Sequence, residues 1–168
     1  NYRINSHKVF KGIAARSKTT KGWFFGLKLH LIIDPEGNLV KVSFSSGNKD
    51  DRKGLRSMIS GIYGKVFGDH GYISTELFKD LYAKGVQLVT RVKKNMKNML
   101  IPIADKVMLL KRALIETVIG KLKFLDKFEH SRHRSVTNAL SHMLPCLIND
   151  QLQENKPSIK SLLPIEDL

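Results

Sequence analysis

The stretch KVFGDHGY, residues 65–72, places a carboxylate at the end of a short apolar segment. Its apolar part predicts a strand over residues 65–68, and Gly71 predicts a tight turn just after Asp69. Folds that alternate strands and helices commonly carry their chemistry where strands end. Asp69 is therefore a candidate functional residue, although an ordinary turn aspartate explains the same stretch.

The pattern on either side of this stretch predicts an α/β domain. We predict strands over residues 22–34, 39–45, 65–68 and 86–92. The predicted helices run from Asp50 or Asp51 to about 62, from Ser74 or Thr75 to 85, from 108 to about 130, and from 136 to about 153. Pro145 is predicted to interrupt the last helix. Residues 1–21 and 93–106 are basic and polar and predict irregular segments. The predicted apolar sides of the second and last helices are Leu77, Phe78 and Leu81, and Leu140, Met143, Leu144, Leu147 and Ile148.

The predicted helix after residue 108 presents a second carboxylate, Glu116, between two cations. At about 100° per residue, Arg112, Glu116 and Lys123 share one face of a continuous helix. A separate apolar stripe is formed by Leu114, Ile115, Val118, Leu122 and Leu125. A solvated Arg–Glu pair on an ordinary amphipathic helix explains the same pattern.

Composition points to an anionic polymer as the partner. Lys and Arg number 29 against 15 for Asp and Glu, so the net charge is +14 and the pI about 10.0. The apolar content of 42% is that of a globular chain. The single cysteine, Cys146, excludes an intrachain disulfide and suits a reducing cytoplasm. No apolar run approaches the roughly 20 residues of a membrane helix, so no membrane partner is expected.

Three motifs in this order resemble the DDE transposases of bacterial insertion sequences. They are Arg112, Glu116 and Lys123, the turn Gly-Asp-His-Gly-Tyr at 68–72, and Ser-Gly-Asn-Lys-Asp-Asp-Arg at 46–52. The first matches most of the Tyr-Arg-Glu-Lys signature of one group, but Leu109 stands at the tyrosine position. Further similarity lies in residues 22–31, 93–98 and 129–135, so the resemblance covers residues 5 to about 150.

The resemblance implies a ribonuclease-H-like fold, with a mixed sheet flanked by helices and three metal-binding acidic residues. Asp69 corresponds to the second and Glu116 to the third. The first belongs on the opening strand, but no Asp or Glu precedes Asp34. We therefore expect the first strand and its aspartate to lie before Asn1, and the 168-residue chain alone to be inactive. The expected catalytic domain spans residues 1–150, followed by a loosely ordered tail over 151–168.

The function that the resemblance implies is metal-dependent DNA cleavage and strand transfer in the bacterial cytoplasm. Asp69 and Glu116 would bind Mg²⁺ (or Mn²⁺), because carboxylate oxygens suit a hard cation. The partners would be transposon ends and target DNA, with a homodimer in the synaptic complex. The expected DNA-binding residues are Arg112, Lys123, Lys93, Lys94, Lys97, Arg132, His133 and Arg134.

Several alternatives remain open at the level of the residues. His130, His133, His142 and Cys146 have spacings that could form a zinc site, but neighbouring arginines favour a phosphate-contacting patch. Asp51 could be a further metal ligand, although a helix cap is the preferred interpretation. The aromatic residues 23–25 are assigned to the core rather than to base stacking.

Two other functions fit the same sequence. One is a non-catalytic, basic nucleic-acid-binding module in which both carboxylates are structural, and the other is a nuclease of the same fold. Catalysis requires Asp69 and Glu116 to converge on one open cleft.

Overall fold

The computed structural model describes residues 8–20, 22–91, 100–124, 127–128 and 133–158. The chain forms two compact units, the first from Asn1–Lys49 and Leu114–Leu168 and the second from Asp50–Ala113. In chain order the elements are β1 (Ala15–Thr19), β2 (Gly22–Ile33), β3 (Leu39–Ser46), α1 (Asp51–Met58), β4 (Gly64–Gly68), a 3₁₀ turn (His70–Tyr72), α2 (Thr75–Ala83), β5 (Val86–Thr90), α3 (Ile103–Leu110), α4 (Ala113–Phe124) and α5 (Val136–Leu152).

The first unit contains an antiparallel sheet in the order β1-β2-β3. The strands predicted over residues 22–34 and 39–45 are confirmed as β2 and β3. They pair as an antiparallel hairpin, and Leu29 pairs with Phe44 near its centre. Its turn is closed by Asp34, whose carboxylate accepts hydrogen bonds from the backbone and side-chain nitrogens of Asn38, both at 2.8 Å. Gly37 has φ +78°, a conformation that favours glycine.

The core of the first unit forms where helices meet one face of this sheet. Val118 and Leu122 of α4 and Leu147 of α5 are its buried centre, which confirms these two members of the apolar stripe predicted for α4. Leu125 of that stripe lies outside the described residues. Packed against them are Leu29, Leu31, Ile33, Leu39, Phe44 and Phe128. A buried ion pair joins the two helices, with Lys121 Nζ 2.6 Å from Asp150 Oδ1.

The second unit is built on a parallel pair, β4 and β5, in register from Gly64–Val86 to Gly68–Thr90. Helix α2 connects them and buries Leu77 and Leu81, whose side chains are at most 1% exposed. The predicted caps are confirmed: Asp50 caps α1 and Ser74 caps α2. The resulting strand–helix–strand unit delivers Asp69 at the end of β4, as the sequence predicts.

The prediction of one helix from 108 to about 130 is wrong. Helix α3 ends at Leu110, Lys111 and Arg112 form a turn, and α4 begins at Ala113. The guanidinium of Arg91 donates a hydrogen bond to the backbone carbonyl of Leu109 at 3.2 Å. The last carbonyls of a helix have no partner within the helix, and here a residue distant in sequence supplies one. No Gly or Pro marks this break, and the local pattern therefore could not reveal it.

Four other element predictions need correction. Residues 15–19 form β1 rather than an irregular segment, because they pair with the first five residues of β2. The predicted loop 93–106 is helical from Ile103, directly after Pro102. Helix α1 stops at Met58, before the turn in which Gly61 has φ +76°. Helix α5 continues through Pro145 without interruption.

Side-chain burial also departs from the predicted pattern. Trp23 is 52% exposed rather than part of the core, and Phe78 is 44% exposed against Tyr82. On α5, Leu147 is buried, whereas Leu140, Leu144 and Ile148 are 39–57% exposed. No helix in the described ranges is both long and apolar enough for a membrane span.

Candidate active site

Asp69 lies at the carboxyl end of the parallel pair, one residue after β4. It caps the following 3₁₀ turn, because its Oδ1 accepts a hydrogen bond from the backbone N–H of His70 at 2.7 Å. Gly68 leaves little room beside it: a Cβ there would lie 3.2 Å from the Tyr72 ring. The Asp69 side chain is half exposed, at 50%, and is open to a ligand from solvent.

Arg112 forms a salt bridge with Asp69, at 2.6 Å from Nη1 to Oδ1. The arginine was predicted on the α4 face with Glu116, but it lies in the turn before α4 instead. A residue predicted to contact DNA phosphate thus contacts the candidate catalytic carboxylate. The two residues belong to the second unit but are far apart in the sequence, so their pairing depends on the folding of that unit.

The charge state of Asp69 follows from these contacts. Partial burial by itself raises the pKa of this carboxyl, but the hydrogen bond from the His70 amide and the adjacent Arg112 guanidinium outweigh it, and the pKa is lowered below its usual value. Tyr72 responds in the opposite direction: burial, then the charges of Asp51 and Asp69, raise the pKa of its hydroxyl. Asp69 is therefore ionised at neutral pH, as a metal or cation ligand must be.

His70 and Arg91 hold the turn after Asp69 in place through hydrogen bonds. Nδ1 of His70 lies 2.8 Å from the backbone oxygen of Arg91, and because a carbonyl only accepts, this bond requires the proton on Nδ1. The Arg91 guanidinium in turn reaches Leu109 on α3. Sequence analysis missed both contacts, since no local signal links a histidine after β4 to the residue after β5.

Glu116 and Lys123 both lie on α4, in the first unit. Both are exposed, and a separation of seven residues, nearly two helical turns, keeps them on one face. Asp69 belongs to the second unit. Convergence of the two carboxylates on one cleft remains a prediction from the sequence.

The signature position occupied by leucine has a structural explanation. Leu109 is 4% exposed and belongs to the core of the second unit. An aliphatic side chain fills this position, so the tyrosine of the signature has no counterpart here.

The remaining candidates are distributed as follows. His133 is half-buried, with its ring centroid 5.0 Å from that of His142, and Arg134 is exposed. Asp51 is the first residue of α1, whereas the cap is Asp50. Lys93, Lys94, Lys97, His130 and Arg132 lie outside the described residues.

The arrangement of the described His, Cys, Asp and Glu side chains bears on metal binding. Within the described part of the chain, no group of three or more His, Cys, Asp or Glu side chains is arranged to hold a metal ion. Of the residues considered for a zinc site, His133, His142 and Cys146 form no such group, and His130 lies outside the described residues. Two other buried carboxylates are neutralised by lysines, Asp105 by Lys65 at 2.8 Å and Asp150 by Lys121.

Comparison with known proteins identifies the family. No curated protein and no solved structure matches the chain significantly. Residues 1–136 match the family model of the transposase DDE domain. That match covers most of the 168 residues and includes both Asp69 and Glu116. The chain therefore belongs to the transposase DDE domain family, as its motifs predicted.

Proposed function

We propose that this chain acts in a DNA transposase that cleaves and joins DNA with a divalent metal ion. Asp69 and Glu116 are the proposed metal ligands, and Arg112 and Lys123 the proposed phosphate contacts. The observation that carries the proposal is the position of Asp69, half exposed and ionised at the carboxyl end of β4. This is the edge at which α/β folds place their ligands.

The order of the elements supports a ribonuclease-H-like fold as part of this proposal, although the described strands form two separate sheets rather than the expected single mixed sheet. An antiparallel β1-β2-β3 sheet precedes a parallel strand–helix–strand unit, and helices α4 and α5 close the first unit. The proposed roles follow the family motif residue by residue. Within the Tyr-Arg-Glu-Lys signature, the tyrosine position, Leu109, departs from the motif, and the family's first acidic residue has no counterpart before Asp34.

The donor chemistry at the two carboxylates fits magnesium or manganese. Both side chains are exposed, and the lowered pKa of Asp69 keeps it anionic, as a hard cation requires. A metal bound here would activate the attacking hydroxyl and stabilise the leaving oxygen of a phosphodiester. Asp69 and Glu116 are two ligands of a set that needs at least one more.

Arg112 has a double role in this proposal. In the observed arrangement its guanidinium neutralises Asp69. Guanidinium also binds phosphate strongly. When the Arg112 guanidinium binds a DNA phosphate instead, the Asp69 carboxylate becomes available to the metal. DNA binding therefore increases the affinity for the metal, and metal binding increases the affinity for DNA.

Manganese titration followed by electron paramagnetic resonance tests the proposed ligands. We expect Asp69→Asn and Glu116→Gln each to weaken Mn²⁺ binding by on the order of tenfold or more, because each removes a charged ligand. Glu154→Gln is the matched control: it removes one exposed carboxylate that has no proposed role. Glu116→Gln should leave the affinity for duplex DNA in a gel-shift assay undiminished.

Two results would contradict these assignments. One is unchanged Mn²⁺ affinity in both variants, and the other is an equal loss in Glu154→Gln, which would indicate a general charge effect.

The existing pair between Arg112 and Asp69 favours one competing function, a DNA-binding module without catalysis. In that case the pair only stabilises the second unit. Asp69→Asn would then lower the thermal stability and leave Mn²⁺ binding as it is in the unmodified chain.

A further inference from the structure

The hairpin of β1 and β2 presents an exposed tryptophan beneath two cations. Trp23 is 52% exposed, and the guanidinium carbon of Arg16 lies 4.1 Å from the centroid of its ring. Lys18 Nζ lies 5.8 Å from the same ring. Both distances are within the range of a cation–π interaction.

The strand register explains how these side chains come together. Lys18 is the direct partner of Trp23, and Arg16 pairs with Phe25, so all four residues point to one face of the hairpin. Further along β2, the alternate residues Leu29, Leu31 and Ile33 pack on the core formed with α4 and α5. Trp23 occupies the same alternation at the other end of the strand, where half of its surface remains exposed.

The surroundings of the ring define what it can bind. Arg16 lies over one face of the indole, and about half of the residue's surface is still exposed. Covering that exposed surface with a flat ligand gains free energy, since a tryptophan buries a large apolar area. Arg16 and Lys18 add positive charge at the same place, and the first 33 residues contain no Asp or Glu. The complementary ligand therefore combines a flat apolar face with negative charge.

An unpaired nucleotide has both properties. Its base stacks on an aromatic face in a sequence-tolerant way, and its phosphate pairs with lysine or arginine. A paired base inside a duplex would first have to leave its stack, which costs a few kcal/mol. The platform thus favours single-stranded DNA over duplex.

We propose that Trp23, Arg16 and Lys18 form a binding platform for an unpaired nucleotide of the DNA substrate, with the base on Trp23 and its phosphate held by the two cations. The proposal rests on the proposed function only in taking DNA as the partner. The three residues lie in the first unit and are distinct from Asp69 and Glu116.

Trp23 is the only tryptophan of the chain, so its fluorescence reports directly on this platform. The probes are a dT12 oligonucleotide and a blunt 20-base-pair duplex, titrated separately. We expect dT12 to quench the fluorescence and the duplex to bind with much less quenching. Equal quenching by both, or none by dT12, would overturn the proposal.

Substitutions measure the contribution of each side chain by fluorescence anisotropy of labelled DNA. Trp23→Ala should weaken dT12 binding on the order of fivefold to 150-fold, the loss of one base–aromatic stack, and leave duplex affinity unchanged. Trp23→Phe should retain part of the affinity. The control is Tyr63→Ala, which removes another exposed aromatic side chain, in the second unit. A Trp23→Ala variant that folds and binds dT12 as tightly as the unmodified chain would refute the stacking role.

Failure of this platform is distinguishable from failure of the proposed catalysis. Asp69→Asn and Glu116→Gln should bind Mn²⁺ weakly and still show quenching by dT12. Trp23→Ala should bind Mn²⁺ normally.

Discussion

At the level of single residues, the chemistry of Asp69 depends on a partner that is remote in sequence. The turn that follows Asp69 could be predicted from the sequence, because a carboxylate just before a 3₁₀ turn accepts a hydrogen bond from the first backbone N–H of that turn. The salt bridge to Arg112 could not be predicted in this way, since it forms only when the end of β4 and the turn after α3 meet in the folded unit. Helical periodicity assigned Arg112 to the wrong element for the same reason.

The first prediction concerns Arg112→Gln. Removing the guanidinium should raise the pKa of Asp69 toward its usual value, because His70, through its amide hydrogen bond and its charge, is then left to oppose the effect of burial. NMR of the side-chain carboxyl during an acid titration measures this shift. Arg56→Gln, which removes an arginine paired with Glu76 and Asp80 instead, should leave the titration of Asp69 unchanged.

The same pair gives a signed pH dependence of stability. The folded-state pKa of Asp69 is lowered, so its ionised form stabilises the fold at pH values above the unfolded pKa, about 3.9. This contribution is lost as the pH falls from there through the folded-state value. In urea unfolding at pH 7 and at pH 2.5, Arg112→Gln should destabilise more at pH 7, and an equal loss at both pH values would contradict it.

At the level of elements, local signals succeeded wherever a cap or a turn determines a boundary. The turn residues Pro-Glu-Gly-Asn at 35–38 separate β2 from β3. Asp50 and Ser74 mark the starts of α1 and α2. The boundary between α3 and α4 and the strand β1 depend instead on tertiary partners, which are Arg91 for the helix end and β2 for the strand. Sequence periodicity cannot supply those partners.

The contact between α4 and α5 gives a stability prediction. Lys121→Met leaves Asp150, whose side chain is 5% exposed, without its ion-pair partner. We expect a loss of about 3 kcal/mol in the free energy of unfolding, the cost of an uncompensated buried charge. The double variant Lys121→Met with Asp150→Leu should recover most of that loss in chemical denaturation, and failure to recover would show that the charge is not its cause.

Two glycines of the first unit should respond in opposite directions to alanine. A Cβ at Gly47 would lie 2.7 Å from the backbone oxygen of Ala15 and 2.9 Å from the Phe24 ring, so the strands must move apart. At Gly120 in α4, a Cβ meets no neighbouring group within 4 Å. In thermal melts, Gly47→Ala should destabilise by about 1–3 kcal/mol, whereas Gly120→Ala should stabilise by about 0.5–1 kcal/mol through helix propensity.

At the level of the whole molecule, net charge and the order of the motifs indicated the function more specifically than the pattern of strands and helices did. The net charge of +14 indicated a polyanion, and the family match over residues 1–136 agrees with the spaced motifs at 46–52, 68–72 and 112–123. None of these motifs alone distinguishes a catalytic carboxylate from a helix cap or a solvated pair. Their shared order along the chain favours the transposase DDE domain family, because each alternative explanation accounts for only one motif.

The same charge predicts how DNA binding depends on salt. If the domain neutralises 6–10 phosphates, duplex affinity should fall on the order of 10³–10⁵-fold between 50 and 200 mM NaCl, through release of condensed counterions. Lys123→Gln should reduce the slope of log affinity against log salt by about one contact. Lys84→Gln is the control, because Lys84 already pairs with Asp80 at 3.2 Å and lies outside the proposed DNA surface. A slope that does not change in Lys123→Gln would remove Lys123 from the phosphate-binding residues while leaving the carboxylate assignments intact.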